Sequence, residues 1–437
     1  MKRGALLTLC GVVLAGLSAQ AQNQGAPAKV EQSKIDAAIN KGVAYLKGIA
    51  KPDMGKRTHI NRTMQEDELV LWTLVHAGVK ENDPIFQSLM KAMLERKLEA
   101  TYCVALQAMI LEEVQRVKYQ YRIKQCAQFL VDNQCKNGQW TYGEPTIYAE
   151  DTPSDAGRTD VSSSGERKDR SKAREFYMPG EKPPKPEVKH RTPVKKQKDG
   201  GAGGDNSNTQ YAALGMRACH DAGILIPAEV TEKAIEWYRK SQKNTDGPKL
   251  RFDVKDNLDG VPTGGGASGV MDVIHAEPQG WCYGNHDEHK AYGSMSAGSV
   301  GGLAIWLYVR DNDFGVKDPS KMKRSWRRDK DVCEGLAWLG HHFSVVYNPG
   351  PYEHGDKAEN SQHQYEYYLY ALERAGMLYG TETMGTHWWY PEGAKVLIEK
   401  QAAGGQWGGG AVDTCFAILF LKRATEPLTP SMSARNP

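Results

Sequence analysis

Beyond residue 17 the chain has no hydrophobic run long enough to cross a bilayer, and it contains no Cys-x-x-Cys pair. The first absence excludes a spanning membrane protein. Seven cysteines remain after Cys10, an odd number, and size and spacing exclude a small disulfide-stapled fold. Charge of one sign is also scarce: 56 Lys and Arg stand against 53 Asp and Glu, a formal net charge of +3. Removing Lys2 and Arg3 with a leader would leave +1, so no global field exists to draw nucleic acid. Cys103, Cys219 and Cys415 fall on predicted helices as small apolar groups, and one or two disulfides stay open.

The N-terminus begins with Lys2 and Arg3, continues with an apolar stretch from Ala5 to Leu17, and ends at Ser18-Ala19-Gln20-Ala21. A basic start, a short apolar run and an A-x-A site predict a secretory signal peptide over 1–21 and an exported, periplasmic or extracellular chain. Cys10 follows Leu9, where a lipoprotein signal needs a small residue, so no lipid anchor is expected. A linker over 22–30 leads to the main body, 31–425, and a Pro/Ser-rich tail closes the chain at 426–437.

Gln134 to Trp140 and Gln401 to Trp407 both spell Q-x3-G-x-W, each after one amphipathic stretch and before another. A recurring block at fixed phase marks a repeat architecture. The unit is a helix, a loop rich in Gly and aromatics, then a second helix. Ile123 to Asn133 carries Ile123, Cys126, Ala127, Phe129 and Leu130 at helical spacing, and Thr209 to Ala222 follows as its partner. The last unit pairs Pro391 to Lys400 with Thr414 to Arg423. Looser copies pair 35–47 with 64–77, 84–96 with 101–114, 230–240 with 296–309, and 332–342 with 362–375. About six pairs is the number that closes a ring, so the expected fold is an all-α, α/α toroid. Second helices are the more apolar all round and are placed inside. Capping boxes at Thr63/Glu66, Ser207/Gln210 and Ser361/Gln364 would start the inner helices at one shared mouth.

Residues 144–204 depart from this grammar. They lack apolar periodicity and are rich in charge, Pro and Gly, which predicts a disordered basic insertion. Within 182–199, seven Lys and Arg face only Glu187 and Asp199. A solvated loop and a contact with an anionic polymer through 182–198 both fit that excess.

The stretch from Lys124 through Phe129, Leu130 and Gln134 to Gly138 and Trp140 resembles the QW motif of squalene-hopene and oxidosqualene cyclases. The wider pattern is similar to the prenyltransferase/squalene-oxidase repeat, shared with protein prenyltransferase β subunits. The strings at 205–212, 293–298 and 413–423 resemble a secreted bacterial, planctomycete-type subgroup of these repeats. The resemblance implies that Gln134, Gly138, Trp140, Gln401, Gly405 and Trp407 are fold residues, an amide closing free helix-end groups beneath an indole.

The chemistry of those relatives is only partly represented. Alkene protonation needs an Asp-x-Asp-Asp acid, and none occurs; Asp311-Asn-Asp313 falls past the wrong end of an inner helix, and Asp253, Asp256 and Asp259 lie in a polar loop. Squalene cyclisation is therefore disfavoured. The transferases' zinc needs D-x-C and a later His. Asp413-Thr414-Cys415 matches the first part, but no His follows His387, which leaves His363 as a donor from another unit. Zinc remains a candidate there and at Cys282, His286 and His289, with helix capping, a buried thiol and an exposed loop as the plainer readings. No cofactor is firmly expected. Glycoside cleavage needs two opposed carboxyls, and Glu66, Asp67, Asp205 and Asp413 all fall near the mouth.

The functional expectation is a ligand-binding toroid for an apolar small molecule or lipid, with catalysis open. Its alternatives are a lipid- or carbohydrate-active enzyme and a non-catalytic interaction scaffold. Asp205, His363, Asp413 and Cys415 are the catalytic candidates, and Asn208, Gln210 and Gln364 the ligand-binding ones. Ser296 and Glu66 complete the expected mouth, whose gathered helix N-termini favour an anionic or hydroxyl-rich group.

Overall fold

The computed structural model describes residues 30–59, 62–146, 190–194, 199, 204–244, 248–255, 271–284, 290–312, 323–350 and 360–428. Residues 1–29, most of 144–204 and the end of the tail lie outside them. The described residues form twelve α-helices in six consecutive pairs: α1 (Gln32–Ile49) with α2 (Asp67–His76), α3 (Pro84–Glu95) with α4 (Thr101–Gln115), and α5 (Gln120–Asp132) with α6 (Asn206–Asp221). The other three pairs are α7 (Ala228–Ser241) with α8 (Gly293–Asp311), α9 (Lys330–His341) with α10 (Tyr365–Tyr379), and α11 (Trp389–Lys400) with α12 (Ala411–Lys422).

The even-numbered helices pack side to side in the order α2, α4, α6, α8, α10, α12 and back to α2. That cycle is a closed inner ring, and α1 packs on both α11 and α12, which brings the first outer helix against the last unit. Sequence decides which helix goes where. Every residue of α2 is buried, and α8 is buried from Gly293 to Val309, so neither has a face to give to water. By contrast α1 buries Ile35, Ala38, Ile39, Gly42 and Leu46, one stripe at helical spacing, flanked by half-buried Val43 and Tyr45, and leaves its opposite face exposed.

A clasp joins each of three units to the next. Gln134 Nε2 donates to the carbonyls of Gly138 (3.2 Å) and Val230 on α7 (2.8 Å). The Trp140 indole donates to Leu130 O (2.7 Å), and its backbone N–H to Thr209 Oγ1 on α6 (3.0 Å). Gln401 and Trp407 repeat the pattern with Gly405 O, Ala38 O on α1, Leu397 O and Thr414 Oγ1. The bond from Gln401 to Ala38, at 2.9 Å, joins the last unit to the first. Gly138 has φ +94°, and a Cβ there would sit 2.0 Å from Lys233 O, so only glycine lets the loop lie on the next outer helix.

A third clasp is built from residues far apart in sequence. Gln242 Nε2 donates to Gln279 O and Asp331 O, the Trp281 indole to Tyr238 O, and Trp281 N to Ser296 Oγ. Between Gln242 and Trp281 the chain makes an antiparallel hairpin, Leu250–Lys255 against Met271–Ala276, where only a loop is expected from sequence. Asp253 therefore lies on a strand, while Asp256 and Asp259 lie outside the described residues.

The capping expectations need correction. α2 starts after Glu66 and α10 after Gln364, without side-chain caps, and Thr63 belongs to a short strand. Asp205, two residues before Ser207, caps α6 by accepting from Asn208 N at 2.9 Å. The seven described cysteines are all free, so no disulfide forms among them. At the insertion's far end, His190–Arg191 pairs in parallel with Ile224–Leu225. The tail begins in contact: Arg217 donates to Glu426 O and Pro427 O, and Leu428 is buried.

Candidate functional site

All six inner helices begin around one cavity of about 470 Å³. Leu69, Leu106, Met295 and Phe416 supply apolar wall, and six tyrosines line it (102, 142, 211, 283, 292 and 367). Polar groups at its surface include Arg57, Glu66, Ser207, Ser294 and Gln364. Gln364 sits in the left-handed backbone region at φ +56°, a conformation a non-glycine residue holds only under constraint from its surroundings.

The floor is a polar plug across the ring axis. Tyr102, Ser207 and Tyr367 stand in the first turns of α4, α6 and α10. Their hydroxyls are linked, Tyr102 to Ser207 and Ser207 to Tyr367 (3.0 Å). Gln210 Nε2 donates to Tyr367 Oη at 2.7 Å, and Arg374 Nη2 donates to Gln210 Oε1 at 2.8 Å. The Arg374 guanidinium is fully enclosed, 4.3 Å from the Tyr370 ring centre and 5.6 Å from that of Tyr211. Gly298 on α8 makes room for this arrangement, since a Cβ there would come within 2.0 Å of Gln210 Oε1. Beyond the plug, at the inner helices' C-terminal end, a recess of only about 50 Å³ opens beside Trp72, His76 and Glu113. Burial holds the phenols of Tyr102 and Tyr211 well above their ordinary range and that of Tyr367 above it, so all three stay protonated.

Of the sequence candidates, Glu66 and Gln364 line the cavity. Gln210 lies beneath it in the plug, and Asn208 is wholly buried, donating through Nδ2 to Asp205 Oδ2 at 2.6 Å. Asp205 is 4 % exposed and bonded to Tyr283, one of the lining tyrosines. Burial pushes its carboxyl up to about 6 despite donors from Asn208 and Tyr283 that favour the anion. A carboxyl more basic folded than unfolded binds its proton more tightly in the native state. Its contribution to stability therefore falls as pH rises from about 4 to 6. Asp205→Asn should abolish that fall, read as a smaller loss of unfolding free energy between pH 4.5 and 7.5 in urea titrations.

The Asp-x-Cys zinc donors do not assemble. Asp413 Oδ2 accepts from Gly409 N at 2.7 Å, closing the turn that starts α12. Cys415 is buried toward Thr73 of α2, and burial pushes its thiol up to about 12. His363 is exposed, and its carbonyl accepts from Asn348. Cys282 is buried, its thiol facing Gly284 O at 2.7 Å, while His286 and His289 lie outside the described residues. Among the described residues no group of three or more His, Cys, Asp or Glu is placed to hold a metal ion. Ser296 is spent on the Trp281 clasp.

Sequence reading places Tyr283 near the mouth as an aromatic that could line a pocket, and it does line the cavity; it missed Tyr102, Tyr211 and Tyr367 as site residues, and Arg374. The signal that could have found them is positional: Tyr102, Ser207 and Tyr367 are each within three residues of an inner-helix start, on the turn that faces the mouth.

No protein-family model and no curated protein sequence matches this chain. Among solved structures it is similar to a type II terpene cyclase, MstE from Scytonema, bound to its product merosterolic acid A. That match has a TM-score of 0.42 and 9 % identity over 90 % of this chain and 97 % of the other. At that level the likeness carries no argument about the site.

Proposed function

We propose that this chain is a binding toroid that takes one compact, mainly apolar small molecule with a polar end into the cavity at the inner helices' N-terminal mouth. The observation that carries the reading is the convergence of six helix starts on a single space. Its size falls within the roughly 300–1,000 Å³ of small-molecule sites, and its wall mixes aliphatic and aromatic surface with a few polar groups. A terpenoid-cyclase- or prenyltransferase-like ligand, with an isoprenoid body, fits this lining. A glycosidase reading is less well supported. It needs two facing carboxyls, and among the lining residues only Glu66 has one; Asp205 is bound by Asn208 and Tyr283. Export after Ala21, and contact of the basic stretch 182–198 with an anionic polymer, belong to the same proposal.

Filling the space tests it. Leu106 lines the cavity and is 5 % exposed, so Leu106→Trp would put an indole where the ligand's body would lie. Ethylbenzene, titrated by ligand-observed NMR, should bind the unmodified protein and bind Leu106→Trp at least tenfold more weakly. Equal binding to both, or to neither, would reject the cavity as the site.

A further inference from the structure

We infer that the hydroxyl cluster at the cavity floor is a directed hydrogen-bond relay that presents the Tyr102 proton to an acceptor oxygen of the ligand, a carbonyl or carboxylate. The inference rests on the binding role proposed above and adds the chemical group that the floor selects.

The direction follows from what each group can do. Arg374 has only donors, so the Gln210 atom facing it at 2.8 Å is the amide oxygen, and the amide nitrogen faces Tyr367. Tyr367 Oη therefore accepts from Gln210, and with one lone pair so occupied the relay assigns its proton to Ser207 Oγ, a contact that either hydroxyl can donate. In the same relay Ser207 donates to Tyr102, again a contact that either hydroxyl can donate. Two links consume two of the three hydroxyl protons. The third, on Tyr102, is left at the cavity end of the chain. Within the cluster its alternative acceptor is Tyr367, which already receives Gln210. An incoming acceptor oxygen offers a less crowded lone pair. Each donor in the series polarises the next, and the buried guanidinium at its far end reinforces that polarisation in a low-dielectric interior. Burial keeps Tyr102 protonated across the working pH range, so it remains a donor.

A single substitution should reverse the relay. Gln210→Glu places a second acceptor oxygen against Tyr367 and keeps a partner for Arg374. Tyr367 would then donate to the introduced carboxylate, Ser207 to Tyr367, and Tyr102 to Ser207, leaving a lone pair where a proton had been. The probes are ethylbenzene, acetophenone and 1-phenylethylammonium, which share one body and carry no polar group, an acceptor and a donor respectively. Benzoate is the charged arm that separates a carboxylate preference from a neutral carbonyl one. Affinities are taken relative to ethylbenzene in each variant, so retained ethylbenzene binding shows the cavity intact.

Tyr102→Phe should weaken acetophenone relative to ethylbenzene about fivefold, the effect of one lost neutral hydrogen bond. Gln210→Glu should weaken it at least as much and strengthen 1-phenylethylammonium. In the double variant the Gln210→Glu effects on both probes should vanish, because the relay no longer has an end. A gain for the ammonium that survives Tyr102→Phe would be a plain charge effect and would overturn the relay, as would acetophenone ratios unchanged in both single variants. If ethylbenzene fails to bind the unmodified protein, the cavity reading falls first and takes the relay with it.

Discussion

Trp407→Ala is expected to cost roughly 3–5 kcal/mol of unfolding free energy, the usual range for a buried large aromatic cut back to alanine. Trp407 is 1 % exposed, and its ring fills the space that Gly42 of α1 leaves open; a Cβ on Gly42 would lie 2.7 Å from it. Its indole also donates to Leu397 O at 2.8 Å, a carbonyl left buried and unpaired by the truncation. Gln401→Ala removes less surface and should cost about 1–3 kcal/mol, chiefly through the Gly405 carbonyl it leaves without the amide and the lost tie to Ala38 O, which keeps its place in the α1 ladder. The pair of losses carries a spatial signature. This clasp joins the two ends of the chain, so hydrogen exchange should rise together in α1 and α12, with α5 to α8 unaffected. Exchange confined to α11 and α12 would mean that α1 does not depend on the last unit.

Arg96→Met is the second large effect, about 3 kcal/mol at pH 8 for a side chain that is 14 % exposed. Arg96 bonds Asp67 Oδ2 at 2.7 Å, Glu68 Oε1 at 2.6 Å and Asp53 Oδ1 at 3.0 Å. Removing it leaves Asp67 and Glu68 buried side by side as like charges. Burial first, and then the Asp67 charge, outweigh the guanidinium and push the Glu68 carboxyl up to about 7 from an ordinary 4.5. The folded state therefore binds a proton that the unfolded state has released between those values. Glu68 then lowers stability progressively as pH climbs from about 4.5 to 7. Without Arg96 that carboxyl moves higher still, so the penalty should be largest at pH 8 and smaller at pH 5. Urea unfolding at the two pH values checks it; a loss independent of pH would show that packing, not charge, is what Arg96 provides. Glu68→Gln, which keeps the shape, should flatten the wild-type slope.

Architecture was legible because it is written locally and then repeated. The stripe of Ile35, Ala38, Ile39 and Leu46, the small-residue, largely apolar Gly298–Ala304 stretch and two compact Q-x3-G-x-W blocks each report on one helix or one loop. The third clasp, Gln242 with Trp281, is geometrically the same device, but a hairpin separates its halves, and spacing conveys nothing once it is interrupted. Helix starts were misplaced by a few residues for a related reason. A Ser or Thr with a Glu or Gln three positions on resembles a cap, yet Asp205 competes for α6 and wins by accepting from Asn208 N.

The floor of the cavity was hidden for a different reason. Arg374 sits near the middle of a helix, where an arginine ordinarily points to water, and only the ring places it against Gln210 from a helix two units earlier in the chain. A polar plug assembled from α4, α6 and α10 has no sequence neighbourhood. Gln210 was singled out as a ligand contact; its observed place, between Arg374 and Tyr367, makes it a positioning group for the hydroxyls above it.

A crystal of the protein soaked with acetophenone tests the central claim most directly. The six helix starts should enclose density for one molecule, its ring between Leu106 and Phe416 and its oxygen about 2.8 Å from Tyr102 Oη, within ordinary hydrogen-bond distance. Density on the outer face, or a mouth that closes over the floor hydroxyls without admitting the probe, would contradict it.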